Sequence, residues 1–227
     1  MQKRLEDLIP ASQFFKRRDF MEKELMEQIA RIQGIAQTGL TYGKDVYDKE
    51  RYQELQEIAK DLLKITTNLP DEKIKILTEK DEGYATPKVD IRAVVFDEQD
   101  RLLLVQEKKD HLWSLPGGWA DIGFSPFEIA EKETEEEAGI VVKAARLLAV
   151  KDKSKHPYPP SAVYVYKFFI ACRWLEGDLQ SGVETETAAF FTQKEINELK
   201  LSLPRNTKED IQMIFDDHKN PQAVWCD

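Results

Sequence analysis

The stretch Leu115–Ile140, LPGGWADIGFSPFEIAEKETEEEAGI, restricts the possible folds more than any other part of the chain. It reads as a strand end, a glycine turn, a loop, and then a helix marked at both ends. Ser125 is suited to the N-cap, Pro126 to the first helical position, and Glu128 completes a capping box. Gly139 supplies the left-handed residue that stops the helix. A strand–loop–helix unit delimited this sharply belongs in a layered domain, where the helix has a sheet to cover.

At about 100° per residue the helix has distinct faces. Phe127, Ala130, Thr134 and Ala138 share a narrow arc expected to pack on the sheet. Glu133, Glu136 and Glu137 share a second arc, because positions i, i+3 and i+4 are neighbours. Glu128, Glu131, Lys132 and Glu135 fall on an outer, solvated arc. Three clustered carboxylates repel one another and cost stability unless a cation sits among them. They also lie toward the helix C-terminus, where the dipole disfavours anions, so solubility alone does not account for them. Oxygen donors with no His or Cys nearby suit a hard divalent ion, Mg²⁺ or Mn²⁺. Pro116-Gly117-Gly118, just before the helix, permits a tight turn and close backbone approach.

The rest of the chain sets limits. With 41% hydrophobic and 33% charged residues among 227, it can bury a core and is not a disordered or low-complexity polymer. No apolar run approaches the ~18–20 residues that span a bilayer, and MQKRLEDLIP has no signal-type apolar region. The expectation is a protein neither secreted nor membrane-spanning. Only Cys172 and Cys226 are present, which fits a reducing cytoplasm better than a disulfide framework. A net charge of −9 argues against nucleic acid as a partner, despite Lys16-Arg17-Arg18.

A change of pattern near Thr86-Pro87 divides the chain. Before it, Asp19 can cap a helix carrying Phe20, Leu25, Ile29, Ile32 and Ala36, ended by Gly39 and the Thr41-Tyr42-Gly43 turn. A second helix from Asp48 carries Tyr52, Leu55, Ala59, Leu62 and Thr66 and stops before Pro70. Such a hairpin must bury its apolar stripe on the following domain or on another subunit. After the break, strands are expected at Lys88–Phe96, Leu102–Gln106, Val141–Val150, Ala162–Trp174 and Ala188–Phe191. Helices are expected at Ser125–Ala138, Gln193–Leu199 and Arg205–Asp216. The domains are therefore 1–70 (helical), 71–87 (linker) and 88–227, the last of the α+β class.

The spacing from Gly118 through position 124 to Lys132-Glu133-Thr134-x-Glu136-Glu137-x-Gly139-Ile140 resembles the Nudix box, G-x5-E-x7-R-E-U-x-E-E-x-G-U. With LPGGWADIGFSP, DKSKHPYPPSAVYVYKFF and TYGKDVYDKERYQEL, the likeness extends over residues 19–216, to Nudix hydrolases with an N-terminal helical domain. The resemblance implies an α/β/α Nudix sandwich with a mixed sheet, and a homodimer formed through the N-terminal helices. It also implies hydrolysis of nucleoside diphosphates linked to another moiety, of the CDP-choline or ADP-ribose type. Glu133, Glu136 and Glu137 match the family's metal-binding glutamates, and Gly117 the position whose carbonyl often joins them. Phe124, Lys132 and Thr134 depart from the box; the first two alter the family's brace between loop and helix, the third stands at an apolar position, and the metal carboxylates remain in place.

Hydrolysis also needs a proton acceptor, for which Glu137, Glu184 and Glu186 are candidates, the last two in an acidic loop before Ala188. Arg92 and Lys108 are candidate phosphate donors, and Trp119 a platform for a base. Trp113 is expected in the core, His156 in a solvated Pro-rich loop, and the tail from His218 loosely held by Trp225. Two other functions stand as alternatives: a house-cleaning or RNA-end hydrolase of triphosphates, and a non-catalytic nucleotide sensor on the same fold, which would have a degraded acidic cluster.

Overall fold

Val94 and Val95 lie on opposite faces of one strand and enter different cores, and this alternation sets the layering of the larger unit. The computed structural model describes residues 11–67, 70, 72, 74 and 83–227, with side chains from Met21 onward. The side chains of Lys16, Arg17, Arg18 and Phe20, and most of the expected linker, lie outside the described residues. The chain divides into two compact units, Met1–Pro87 with Pro159–Tyr164, and Lys88–Tyr158 with Val165–Asp227.

The first unit is a helical hairpin of α1 (Ala11–Tyr42) and α2 (Val46–Thr66). Asp19 lies inside α1 rather than at its cap, because the helix begins eight residues earlier, at Ala11. Asp45, not Asp48, caps α2, its carboxylate accepting from the amides of Tyr47 (2.9 Å) and Asp48 (3.1 Å). Met26, Ile29, Ala59, Leu63 and Ile74 are buried together. Gly39 does not end α1; a Cβ there would fall 2.4 Å from the Tyr52 ring, so the glycine lets the two helices approach.

The second unit is built on a mixed sheet of β1 (Lys88–Phe96), β2 (Leu102–Glu107), β3 (Trp113–Ser114), β4 (Val141–Asp152), β5 (Val165–Glu176), β6 (Thr185–Phe191) and β7 (Trp225–Cys226). The order is β3-β2-β1-β5-β4-β7, with β6 on β2; β1 runs parallel to β5, and β2 antiparallel to β6. On one face, α3 (Pro126–Ala138) packs Ile129, Ala130 and Ala138 against Ile91, Ala93, Val95 and Ile170. On the other, Ile196 of α4 (Gln193–Glu198) and Ile211, Ile214 and Phe215 of α5 (Lys208–Lys219) cover Val94, Leu104 and Phe169. Each large aliphatic side chain so buried stabilises the fold by about 1.5–3 kcal/mol. The result is an α/β/α sandwich with the helical hairpin preceding it in sequence.

The expected elements are present, with shifted ends: α5 starts at Lys208 behind Thr207, and β6 at Thr185. The tail is not loose. Trp225 and Cys226 add β7 in parallel to β4, and the Asp227 carboxylate accepts from the Asp152 amide (2.5 Å) and meets His156 Nε2 (3.0 Å). His156 is accordingly held by this contact rather than solvated, its side chain 14% exposed.

Candidate active site

The glycine loop is laid along β1. The amides of Ile91 and Ala93 donate to the carbonyls of Gly118 and Pro116 (both 2.8 Å), and Ala120 donates to Val89 (2.9 Å). Gly117 adopts φ +141°, and a Cβ there would stand 2.0 Å from the Ile91 carbonyl oxygen, so only glycine lets the loop sit this close. At Gly118 the missing Cβ leaves room for the Glu133 carboxylate, 3.2 Å from where that Cβ would be.

The helix that follows starts and stops as its sequence indicates. Ser125 and Glu128 form a reciprocal capping box, and Gly139 takes φ +74° at the C-cap. Its buried arc differs from the expected one. Ile129, Ala130, Thr134, Glu137 and Ala138 face inward, whereas Phe127, in the first turn, is 37% exposed. Glu131 is not purely solvated either: it accepts from the Ala144 amide (2.9 Å) and forms an ion pair with Lys143 (2.9 Å). Glu133 and Glu137 thus flank the packed stripe one turn apart, and Glu136 stands further round, toward solvent.

These residues open onto a cavity of about 650 Å³ lined by Asp90, Arg92, Glu107, Gly117, Gly118, Trp119, Glu133, Glu137, Lys153, Lys167 and Glu184, among others. Glu137 is buried and accepts from the Gly117 amide at 3.0 Å. Burial pushes its carboxyl up to about 8, against the opposing pull of that amide and of Arg92. Glu133 is likewise raised by burial, with Lys132 pulling the other way. Glu136 is 58% exposed and paired with Lys132 at 3.0 Å.

Arg92 is a buried brace, not a surface cation. Its guanidinium grips Asp90 (2.6 and 3.1 Å) and donates to the carbonyls of Leu115 (3.2 Å) and Gly117 (2.8 Å). It therefore ties the glycine loop to β1, a support formed independently of Phe124 and Lys132. Lys167, opposite Asp90 in the β1–β5 register, bonds the same carboxylate. Burial, with Arg92 adding to it, pushes the Lys167 ammonium down to about 8.

The remaining candidates separate. Trp119 stands on the cavity wall and is 56% exposed. Glu184 also lines the cavity. Glu186 lies within β6, not in a loop, and pairs with His111 Nδ1 at 2.8 Å. The Lys108 ammonium is spent on the carbonyls of Gly182 (2.9 Å) and Val183 (2.8 Å), fastening the loop that carries Glu184. Trp113 packs edge-on against Phe191, 4.8 Å between ring centres. Asp90, Glu107, Lys153 and Lys167 are cavity residues that sequence reasoning passed over. An acid–base alternation, Asp90-x-Arg92, inside an otherwise apolar strand was the available signal for the first.

The donor set was tested against a divalent cation. Among the described residues no group of three His, Cys, Asp or Glu side chains is gathered closely enough to hold a metal ion. Lys132 draws Glu136 outward, and the Gly117 amide holds Glu137. The chemistry nevertheless fits: the donors are hard oxygens only, and two of the carboxyls are partly or largely withdrawn from water, where a bound cation would favour their charged form. The Gly117 carbonyl, the expected backbone ligand, already accepts from Arg92.

The chain is similar to known proteins over most of its length. The NUDIX domain profile matches residues 86–214, and a profile described as a UDP-X-like, N-terminal oligomerisation domain matches residues 23–77. The Bacillus subtilis protein YjhB, named provisionally an ADP-ribose pyrophosphatase, is 43% identical over 201 residues, 88% of this chain and 95% of its own. The crystal structure of an ADP-ribose pyrophosphatase from Streptococcus suis is similar with a TM-score of 0.56 at 40% identity, covering 63% of this chain and all of that one. The crystal structure of a UDP-X diphosphatase gives a TM-score of 0.59 at 31% identity, covering 91% of this chain and 99% of that one.

Proposed function

This chain belongs to the Nudix family and is a Nudix pyrophosphohydrolase; from that premise we propose that it cleaves the pyrophosphate bond of a nucleoside diphosphate linked to another moiety. The products are a nucleoside monophosphate and the phosphorylated partner. ADP-ribose is the first substrate to test, because the relatives at 40% and 43% identity carry that name. UDP-linked compounds follow from the 31% identical structure, and CDP-choline completes the panel as the other expectation from sequence.

The observation that carries this reading is Glu137, buried on the cavity wall beside Glu133 and tied to the glycine loop through Gly117. Glu133, Glu136 and Glu137, with the Gly117 carbonyl, are the groups that would hold Mg²⁺ or Mn²⁺. Bound there, the cation supplies charge neutralisation of the diphosphate and acidification of a water. The protein's own contributions are several. Arg92 and Asp90 fix the loop so that the glutamates and the diphosphate meet in one geometry. Glu184 and Glu137, which both line the cavity, are the favoured acceptors for the proton of the attacking water; Glu186 is engaged with His111 and is the weaker candidate. Trp119 offers an exposed ring for stacking on the base.

The helical hairpin is proposed to join two copies of the chain. Ile35 (58%), Val46 (61%) and Ile65 (80%) leave apolar surface exposed within that unit, and the oligomerisation profile covers it. The enzymatic reading is tested by chromatography of the products from ADP-ribose, CDP-choline, a UDP-sugar and nucleoside triphosphates with Mg²⁺. Two phosphomonoesters from a linked diphosphate are expected. Inorganic pyrophosphate from triphosphates alone would favour the house-cleaning alternative instead, and no turnover at all the sensor.

A further inference from the structure

Arg92, Lys109, Lys153, Lys167 and Arg205 are the cations lining the cavity. Arg92 and Lys167 share Asp90, and Arg205 pairs with Glu107 (3.1 Å) and Asp110 (3.2 Å). Lys109 is exposed. Lys153 is different: half-buried, with no carboxylate in ion-pair range among the described residues. Its ammonium stands 5.9 Å from the centre of the Tyr158 ring, which Lys167 also approaches, at 5.3 Å. Asp90, the nearby acid, has one oxygen on Arg92 Nη2 and the other on Arg92 Nε and Lys167, and so already serves two cations.

The position is also fixed. Lys153 opens a short 3₁₀ turn, Lys153–Lys155, at the end of β4, where Asp152 accepts from the Ser154 amide (2.9 Å) and Asp227 accepts from the Asp152 amide. Burial lowers the Lys153 pKa and Arg92 adds to this, with Asp90 opposing. A partly desolvated ammonium with no carboxylate in contact is stabilised when a ligand brings an anion to it.

We propose that Lys153 is a phosphate-binding residue of the cavity, forming an anion subsite separate from the glutamate cluster that takes one phosphate of the substrate's diphosphate directly. Lys167 shares the Tyr158 ring with it but is engaged with Asp90, which leaves Lys153 as the cation available to an anion. The subsite rests on reading the cavity as a diphosphate hydrolase site, and it adds a cationic contact to a site otherwise described by its acids. It gives an acid-rich cavity one cation for a dianionic substrate, at the turn after β4.

The test is a calorimetric titration of inorganic phosphate into protein stripped of divalent cations with EDTA, comparing wild type, Lys153→Gln and Lys153→Arg. Without a cation, phosphate reports on the lysine rather than on the glutamates. The glutamine variant is expected to bind phosphate roughly tenfold or more weakly, the loss of one charge-assisted hydrogen bond, and the arginine variant to restore binding. With Mg²⁺ and ADP-ribose, Lys153→Gln should raise KM by a similar factor while kcat changes little. Thermal melting of each variant distinguishes lost binding from lost fold, and the arginine variant serves if glutamine is not tolerated. Equal phosphate affinity with an unchanged KM, or no phosphate binding by wild type, overturns the subsite while leaving the hydrolase reading intact. If no diphosphate is cleaved by wild type, the hydrolase reading fails, and the metal-free titration still decides the subsite.

Discussion

At Asp90 a single carboxylate serves two cations, Arg92 and Lys167, and all three side chains are withdrawn from water. Burial, the largest influence on this carboxyl, raises its pKa, but the charges of Arg92 and Lys167 together hold it below its ordinary value of 3.8. Removing the charge strands two buried cations. Asp90→Asn is therefore expected to destabilise the protein by about 3–5 kcal/mol, read as a lower Tm near neutral pH. Because the folded-state pKa is depressed, the contribution is complete above the unfolded value and lost as pH falls below it. Melting curves of wild type and variant should accordingly converge as pH is taken below 3.8. A second residue-level expectation concerns the thiols. Burial, with Glu131 adding to it, pushes Cys172 up to about 12, whereas Cys226 is exposed. A thiol reagent at pH 8 should modify one cysteine rapidly in the folded protein and both after denaturation. Such pairings explain what sequence could not disclose. Asp90 and Lys167 meet only because β1 and β5, 77 residues apart, are parallel neighbours, and nothing local to either residue signals it.

Elements whose determinants are local were readable in advance. The cap of α3, its proline and its glycine stop are all set between Ser125 and Gly139, and the i, i+3, i+4 spacing of its glutamates is a property of any helix. Which of those glutamates is buried was not readable, because that depends on the loop above them. Phe127 was expected inside by angle alone, yet it occupies the first turn and is 37% exposed, while Glu137 faces inward toward Gly117. Two substitutions test the element as described. Ser125→Ala removes the side-chain half of the capping box and should cost roughly 0.5–2 kcal/mol of stability with little change in kcat. Gly117→Ala is a different matter, since its Cβ would lie 2.0 Å from the Ile91 carbonyl oxygen at φ +141°. It should displace the loop and abolish most activity, and a soluble variant with wild-type turnover would contradict the close approach described.

At the scale of the whole molecule, the chain combines a helical hairpin carrying exposed apolar residues with a sandwich carrying a charged cavity. Light scattering after size exclusion should give twice the monomer mass of 26.3 kDa, and Ile35→Glu with Ile65→Glu should shift it toward monomer. Among the described residues no helix is long and apolar enough to cross a membrane. The proposed hydrolysis depends on the carboxyls gathered at the foot of the glycine loop, Glu137 foremost. The steady-state turnover of ADP-ribose by wild type and by Glu137→Gln, each with Mg²⁺ and each checked for folding, addresses this most directly. AMP and ribose 5-phosphate from wild type, with kcat reduced roughly 100-fold or more in the variant, is the expected result. A folded Glu137→Gln protein that turns over at the wild-type rate would contradict it.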